Sequence, residues 1–367
     1  MFNFHMIQAE HGDCFILEYG THKKPKYILI DGGPETIYEH HLRNELQKIN
    51  QKGEKLDLII STHVDNDHII GLTELFVESY AKQKIIAFDQ LWYNSFGKSF
   101  NIDDKLEKRI KKLLIKIRDV RLAKTPERNV HRGISQGEEL KQLADLLDIN
   151  INKKFKGNLI SLENPSNPIK FDNLKLFIIG PTKKTLDKLK GHWEKWITDY
   201  EKKLMHRDVE KSLIKKADDS IPNLSSIMVL AKVDNKSILL TGDGLGKHII
   251  DGLTKLRLLD KKGKLKVDVL KLPHHGSDRN VTVDFFRTIL ADKYIISGNG
   301  YHGNPEFPTL KWIVEAANEQ NREIEIYVTN ITNNIKKLLN KYKPKEYNYK
   351  LIVIDKNASS MKIKLSG

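Results

Sequence analysis

Short runs of β-branched and aromatic residues alternate with helical patterns along the first third of the chain. They predict strands at Phe4 to Gln8, Cys14 to Tyr19, Tyr27 to Asp31 and Leu56 to Ser61. Between the third and fourth, Ile37, Leu42, Leu46 and Ile49 fall on one face at helical spacing. Glu35 to Gln51 therefore reads as a helix, with Pro34 where a first-turn proline is tolerated. Leu106, Ile110, Leu113, Leu114 and Ile117 predict a basic amphipathic helix over Asp103 to Val120, and a further helix covers Glu138 to Leu147. Strands return at Asn158 to Leu162 and Leu174 to Ile179, before a lysine-rich, helix-prone insertion over 183–218 that holds Trp193 and Trp196.

The second half resumes the alternation. Ile227 to Val233 and Ser237 to Thr241 flank a turn at Asp234-Asn235 and predict a hairpin. Further strands are expected at Val267 to Leu272, Tyr294 to Ser297 and Ile324 to Val328, and a last hairpin from Tyr349 to Asp355 and Met361 to Leu365 around Asn357. Alternating strands and helices define an α/β layered fold. With no internal repeat or Pro-rich linker, 1–367 reads as a single domain and 183–218 as a helical insertion within it.

Composition narrows the class. A chain of 367 residues with 39% hydrophobic and 30% charged residues has material for a sizeable core and is not a disulfide scaffold. Its single cysteine, Cys14, cannot form an intramolecular bridge, and the N-terminal residues lack the basic and apolar segments of a signal peptide, so a reduced, cytoplasmic protein is expected. No apolar run approaches the roughly 20 residues that cross a bilayer, so no membrane role is expected. The net charge of +14 favours polyanionic partners such as nucleic acid. Most of that charge is lysine, which lacks the planar fork that reads phosphates bidentately.

Candidate chemistry concentrates where a strand ends. In Ser61-Thr-His63-Val-Asp65-Asn-Asp67-His68, four potential metal ligands follow a buried-strand pattern within six residues. If the chain is still extended at His63 and Asp65, period two points both to one side, and Asp67 and His68 follow as it turns into a helix. Imidazole mixed with carboxylate suits zinc, manganese or iron. The glycine spacing of an EF-hand and the H-E-x-x-H pattern of zinc proteases are absent. Thr241-Gly-Asp243-Gly-Leu-Gly246-Lys-His248 has three residues between its first and last glycines, not four, and no hydroxyl after the lysine, so it is not a nucleotide-binding loop.

These residues resemble the metallo-β-lactamase-fold hydrolases, whose hallmark is H-x-H-x-D-H after a strand. Within that superfamily the sequence is most similar to the domain of ComEC-type DNA-uptake competence proteins and their stand-alone relatives. Tyr27-Ile-Leu-Ile-Asp31-Gly-Gly, Asn223-Leu-Ser225-Ser226, Leu239-Leu-Thr-Gly-Asp243 and Leu270-Lys271-Leu-Pro-His274-His275-Gly-Ser277 stand in the order of that family's motifs. The resemblance implies a four-layer αββα sandwich of two mixed sheets with outer helices. It further implies two divalent ions, zinc first and manganese, magnesium or iron as alternatives. His63 and Asp65 would hold the first ion, Asp67 and His68 the second, and Asp243 would bridge them. One of His274 and His275 would complete the ligand set of the second ion, and Asp31 would orient ligands from behind. Asp65 replaces the family's middle histidine, and none of His131, His192 and His206 is well placed as a further ligand for the first ion.

The implied reaction is metal-dependent hydrolysis, first of all of a phosphodiester in DNA, RNA or a related molecule, by a metal-activated hydroxide. Asp67 and His302 are the expected catalytic groups. His302 lies in Asn299-Gly-Tyr-His302-Gly-Asn304-Pro305, where the competence-type branch carries a polar loop ending in His-Pro. Lys271, Ser277 and Asn223 are candidate substrate contacts. The alternatives are hydrolysis of a small phosphodiester, such as a cyclic nucleotide or a phosphocholine-type ester, and a metal-stabilised binding module without catalysis.

Overall fold

The hydrophobic runs are continuous because both faces of their strands are buried. In the computed structural model, which describes residues 1–81, 84–94, 128–164, 166–191, 194–195 and 222–366, alternate residues of one strand enter different cores. Leu58 and Ile60 join an inner cluster while Ile59 between them joins an outer one. Ile238 and Leu240 likewise point inward while Leu239 points outward. Period-two side chains on doubly covered strands produce this pattern.

Two mixed sheets face each other across the inner cluster. One has seven strands in the order β15-β1-β2-β3-β4-β5-β6: Ser360–Ser366, Phe2–Ile7, Phe15–Thr21, Lys24–Ile30, Leu56–Ile60, Gln90–Trp92 and Asn150–Ile151. The other has eight in the order β14-β13-β12-β11-β10-β9-β8-β7: Tyr349–Val353, Ile324–Val328, Ile289–Ile296, Leu265–Lys271, Lys236–Leu240, Met228–Val233, Leu174–Gly180 and Ile169–Phe171. Helices α1 (Arg43–Asn50), α2 (Asn66–Tyr80) and α3 (Arg128–Leu146) lie on the outer face of the first sheet. Helices α4 (Gly246–Lys255), α5 (Val283–Thr288), α6 (Phe307–Glu319) and α7 (Asn333–Lys341) cover the second. The order is helix, sheet, sheet, helix, and among the described residues no helix is long and apolar enough to cross a membrane.

Four expectations need correction. Tyr349–Val353 and Ser360–Ser366 do not form a hairpin: the first runs parallel to β13 and the second antiparallel to β1, so the chain crosses from one sheet to the other near Asn357. Residues 158–162 are irregular, because Asn94 holds the backbone of Ile160 through both its amide groups and substitutes for a strand partner. The short strands β5, β6 and β7 went unpredicted, being too brief to show a period. Helical winding after β3 begins at Tyr38, so Pro34 precedes the helix and is not in its first turn. Asp103 to Val120 lies outside the described residues. Of 183–218, residues 183–191 and 194–195 are described and helical.

Two close approaches set the site. Gly32 donates to the His68 carbonyl at 2.7 Å, and a Cβ on Gly32 would lie 2.3 Å from the Leu72 nitrogen, so α2 rests directly on the turn after β3. The Asp13 amide donates to the Asp67 carbonyl at 3.0 Å, and a Cβ on Gly12 would lie 1.9 Å from that oxygen. A side chain at either glycine would push α2 off the sheet.

Candidate metal centre

The chemistry-bearing residues gather where parallel strands of both sheets end, the usual ligand position in open α/β sheets. Asp31 follows β3, His63 follows β4, Asp243 follows β10 and His274-His275 follow β11. Asp65 caps α2 with extended backbone and its carbonyl accepts from the His68 and Ile69 amides, placing Asp67 and His68 in the first turn. His274 and His275 take consecutive left-handed conformations, with φ of 47° and 54°. This turn brings both rings to the same carboxylate.

Asp243 is the point of convergence. His63 Nε2, His274 Nε2 and His275 Nε2 lie 3.8, 3.7 and 3.7 Å from its Oδ2, and His68 Nε2 lies 3.4 Å from its Oδ1. His63 Nε2 is also 3.6 Å from Asp65 Oδ2, and His275 Nε2 is 3.1 Å from Asp67 Oδ2. The structure thus draws His63, Asp65, Asp67, His68, Asp243, His274 and His275 together. Both His274 and His275 present Nε2 to Asp243 at the same distance.

The opposite edge of each imidazole is tied to an acceptor. His68 Nδ1 lies 2.9 Å from Asp31 Oδ2, His275 Nδ1 3.1 Å from the Ser297 carbonyl and His274 Nδ1 2.9 Å from Asn280 Oδ1. Thr62 Oγ1 donates to Asp31 Oδ2 at 2.7 Å, which leaves it free to accept from His63 Nδ1 at 3.0 Å. A proton held at Nδ1 leaves the Nε2 lone pair pointing inward, the state in which imidazole binds a metal. His63 Nε2, His68 Nε2 and Asp243 Oδ1 are buried without a hydrogen-bond partner, a costly condition that a cation in their midst would relieve. The residues present fit divalent metal.

Electrostatics agree. Burial opposes the charge of Asp243 and Asp67, yet neighbouring histidines, His68 above all, hold both carboxyls well below the usual range. Burial would also neutralise His68 and His275, but the surrounding carboxylates, led by Asp243, overcome it and hold His275 up at about 9. In the absence of metal, protons on imidazole balance the aspartates.

Asp13 went unnoticed in the sequence, where a glycine-aspartate pair between strands looks like any turn. One of its oxygens falls within 4.8 Å of ligand atoms of His68, Asp243 and His275. It approaches those imidazoles from behind, with His275 Nδ1 at 3.3 Å and His68 Nδ1 at 3.8 Å, and it is ion-paired with Lys271. We therefore read it as an orienting carboxylate beside Asp31 and not as a direct ligand. Asn280, also missed, donates to the Asp243 carbonyl at 3.0 Å and so links that loop to His274.

The expected substrate contacts divide. Lys271 is a correction: its side chain is 2% exposed, and its ammonium sits against Asp13 and donates to the Gly242 carbonyl at 3.0 Å, so it braces the site from within. The Ser277 hydroxyl donates to Glu306 at 3.1 Å. Asn223 is drawn in, its side-chain nitrogen 3.5 Å from His274 Nδ1. His302 is exposed and stacks its edge with Tyr301 and His11. His11 lies close enough for the Asp67 and His275 charges to act on it, although burial is what chiefly lowers its pKa. His192 and His206 lie outside the described residues.

Residues 9–141 match the family model described as Metallo-beta-lactamase superfamily. The two mixed sheets with flanking helices are consistent with the α/β metallo-β-lactamase sandwich. The match and the buried Asp/His cluster support a metal-dependent hydrolase. No curated protein matches the chain.

Proposed function

We propose that the protein is a metal-dependent phosphodiesterase acting on DNA, RNA or a related phosphodiester. The observation that carries the metal-binding part is the inward aim of four Nε2 atoms around Asp243, each imidazole fixed by an acceptor at Nδ1. His63, Asp65 and His274 would hold one ion, Asp67, His68 and His275 a second, and Asp243 would serve both. Such a pair supplies an activated water with a pKa lowered toward about 7 and compensates charge on the attacking and leaving oxygens. Zinc suits the imidazoles, and the carboxylates also admit manganese, iron or magnesium.

The chain's own groups would complete the reaction. Asp67, at 20% exposure the more open of the two central carboxylates, orients incoming water by accepting its hydrogen bond. His302, edge-on to His11, would give a proton to the leaving oxygen. A phosphodiester is favoured over a neutral ester by the net charge of +14, which attracts polyanions.

Elemental analysis of the purified protein, with a hydrolysis screen over DNA, RNA, cyclic nucleotides and bis(p-nitrophenyl) phosphate in zinc, manganese, magnesium and iron, tests the reading. Bound metal with phosphodiester turnover is expected. Folded, metal-loaded protein without turnover of any of these would refute it.

A further inference from the structure

Three rings stand together on loops that also touch the candidate metal ligands. His11 lies in the β1–β2 loop two positions before Asp13, and Tyr301 and His302 lie in the loop after β12. The His11 and Tyr301 ring centroids are 5.3 Å apart and tilted by 37°, and His302 stands edge-on to both, 4.7 Å from Tyr301 and 5.7 Å from His11.

Hydrophobic burial does not explain the arrangement. Tyr301 is 75% exposed, more than any other large hydrophobic side chain among the described residues. Polar ties hold the loops instead. Asn299 Nδ2 donates to Glu10 Oε2 at 2.8 Å, the Tyr301 amide donates to Asn299 Oδ1 at 2.9 Å, and the Ser297 hydroxyl donates to the Gly12 carbonyl. The same loop reaches the metal ligands, through the Ser297 carbonyl to His275 and through Asn304 Nδ2 to the His274 carbonyl at 3.1 Å. An aromatic face is thus carried on a loop tied to His274 and His275 while contributing nothing to the core.

We propose that Tyr301, flanked by His11 and His302, is a stacking subsite for the nucleobase attached to the phosphate in the metal pocket. The inference rests on the phosphodiesterase reading and names its substrate class: nucleotide esters, in preference to alkyl or phosphocholine-type esters. Aromatic side chains accept any base, because every base has a π-face, so the subsite discriminates base from no base and not one base from another.

Calorimetric binding of AMP and of ribose 5-phosphate to the full-length, zinc-loaded protein and to Tyr301→Ala and Tyr301→Phe tests it. AMP should bind the unaltered protein at least about fivefold more tightly than ribose 5-phosphate, since a stacked base contributes about 1–3 kcal/mol. Tyr301→Ala should remove that margin without changing ribose 5-phosphate binding, and Tyr301→Phe should keep it. Equal affinity for the two ligands, no binding of either, or an equal loss of both in Tyr301→Ala would overturn the subsite. Hydrolysis of bis(p-nitrophenyl) phosphate, measured on the same preparations, separates the two ideas. Turnover without a base margin removes the subsite alone, and a base margin without turnover removes the catalytic reading alone.

Discussion

His275 Nε2 lies 3.1 Å from Asp67 Oδ2, though the two residues are 208 positions apart and follow strands of opposite sheets, Asp67 in the first turn of α2 and His275 after β11. The contact exists only when the two layers are packed, so the metal centre is also a seam between them. Loss of ligand charge and loss of sheet packing should therefore be linked.

Asp31 accepts from the Thr62 amide and hydroxyl, each at 2.7 Å, and from His68 Nδ1 at 2.9 Å. Asp31→Asn keeps the shape but turns one acceptor into a donor. Metal affinity should fall about 10–100-fold, the usual range for such orienting partners. Competition with a chelator of known affinity would measure it, and unchanged affinity would remove Asp31 from the site.

Lys271 balances Asp13 in the interior. Lys271→Met alone removes the ammonium that balances a buried carboxylate and should cost about 3–5 kcal/mol in metal-free urea unfolding. The double variant Lys271→Met/Asp13→Asn should regain most of the loss. Additive losses in the double-mutant cycle would show that the two side chains do not act as a pair.

The His275 imidazole has its pKa raised from 6.5 to about 9, the carboxylates outweighing burial. Since the folded value exceeds the unfolded one, this group stabilises metal-free protein fully below pH 6.5, and the contribution fades as pH rises through about 9. Metal needs the neutral ring and competes with that proton, so metal affinity should rise across the same interval. Urea melts of metal-free protein and metal titrations at matched pH should move in opposite directions.

His302→Ala and His275→Ala should separate proton transfer from ligation. Removing a general acid lowers turnover by about 10²–10⁴-fold, and in His302→Ala metal content should be unchanged. His275→Ala should lose bound metal along with activity. Elemental analysis decides between them, and metal loss in His302→Ala would make that residue a structural group.

Much of this protein was written in local pattern. Strand and helix types follow from hydrophobic period, and the 63–68 cluster lies across the end of one strand and the start of one helix, so short-range spacing alone groups its four ligands. Asp31, Asp243 and the double histidine were legible because each ends a hydrophobic run. Tertiary structure alone decided what depends on partners distant in the chain. It placed β14 and β15 in different sheets, because Phe4 pairs with Ile363 across nearly the whole chain. It gave Asp13 its role and buried the ammonium of Lys271 beside it. It let both His274 and His275 reach Asp243 by a left-handed turn that no residue preference demands. A sequence records which groups can bind a cation or a proton; only the packing of two sheets fixes which of their faces meet.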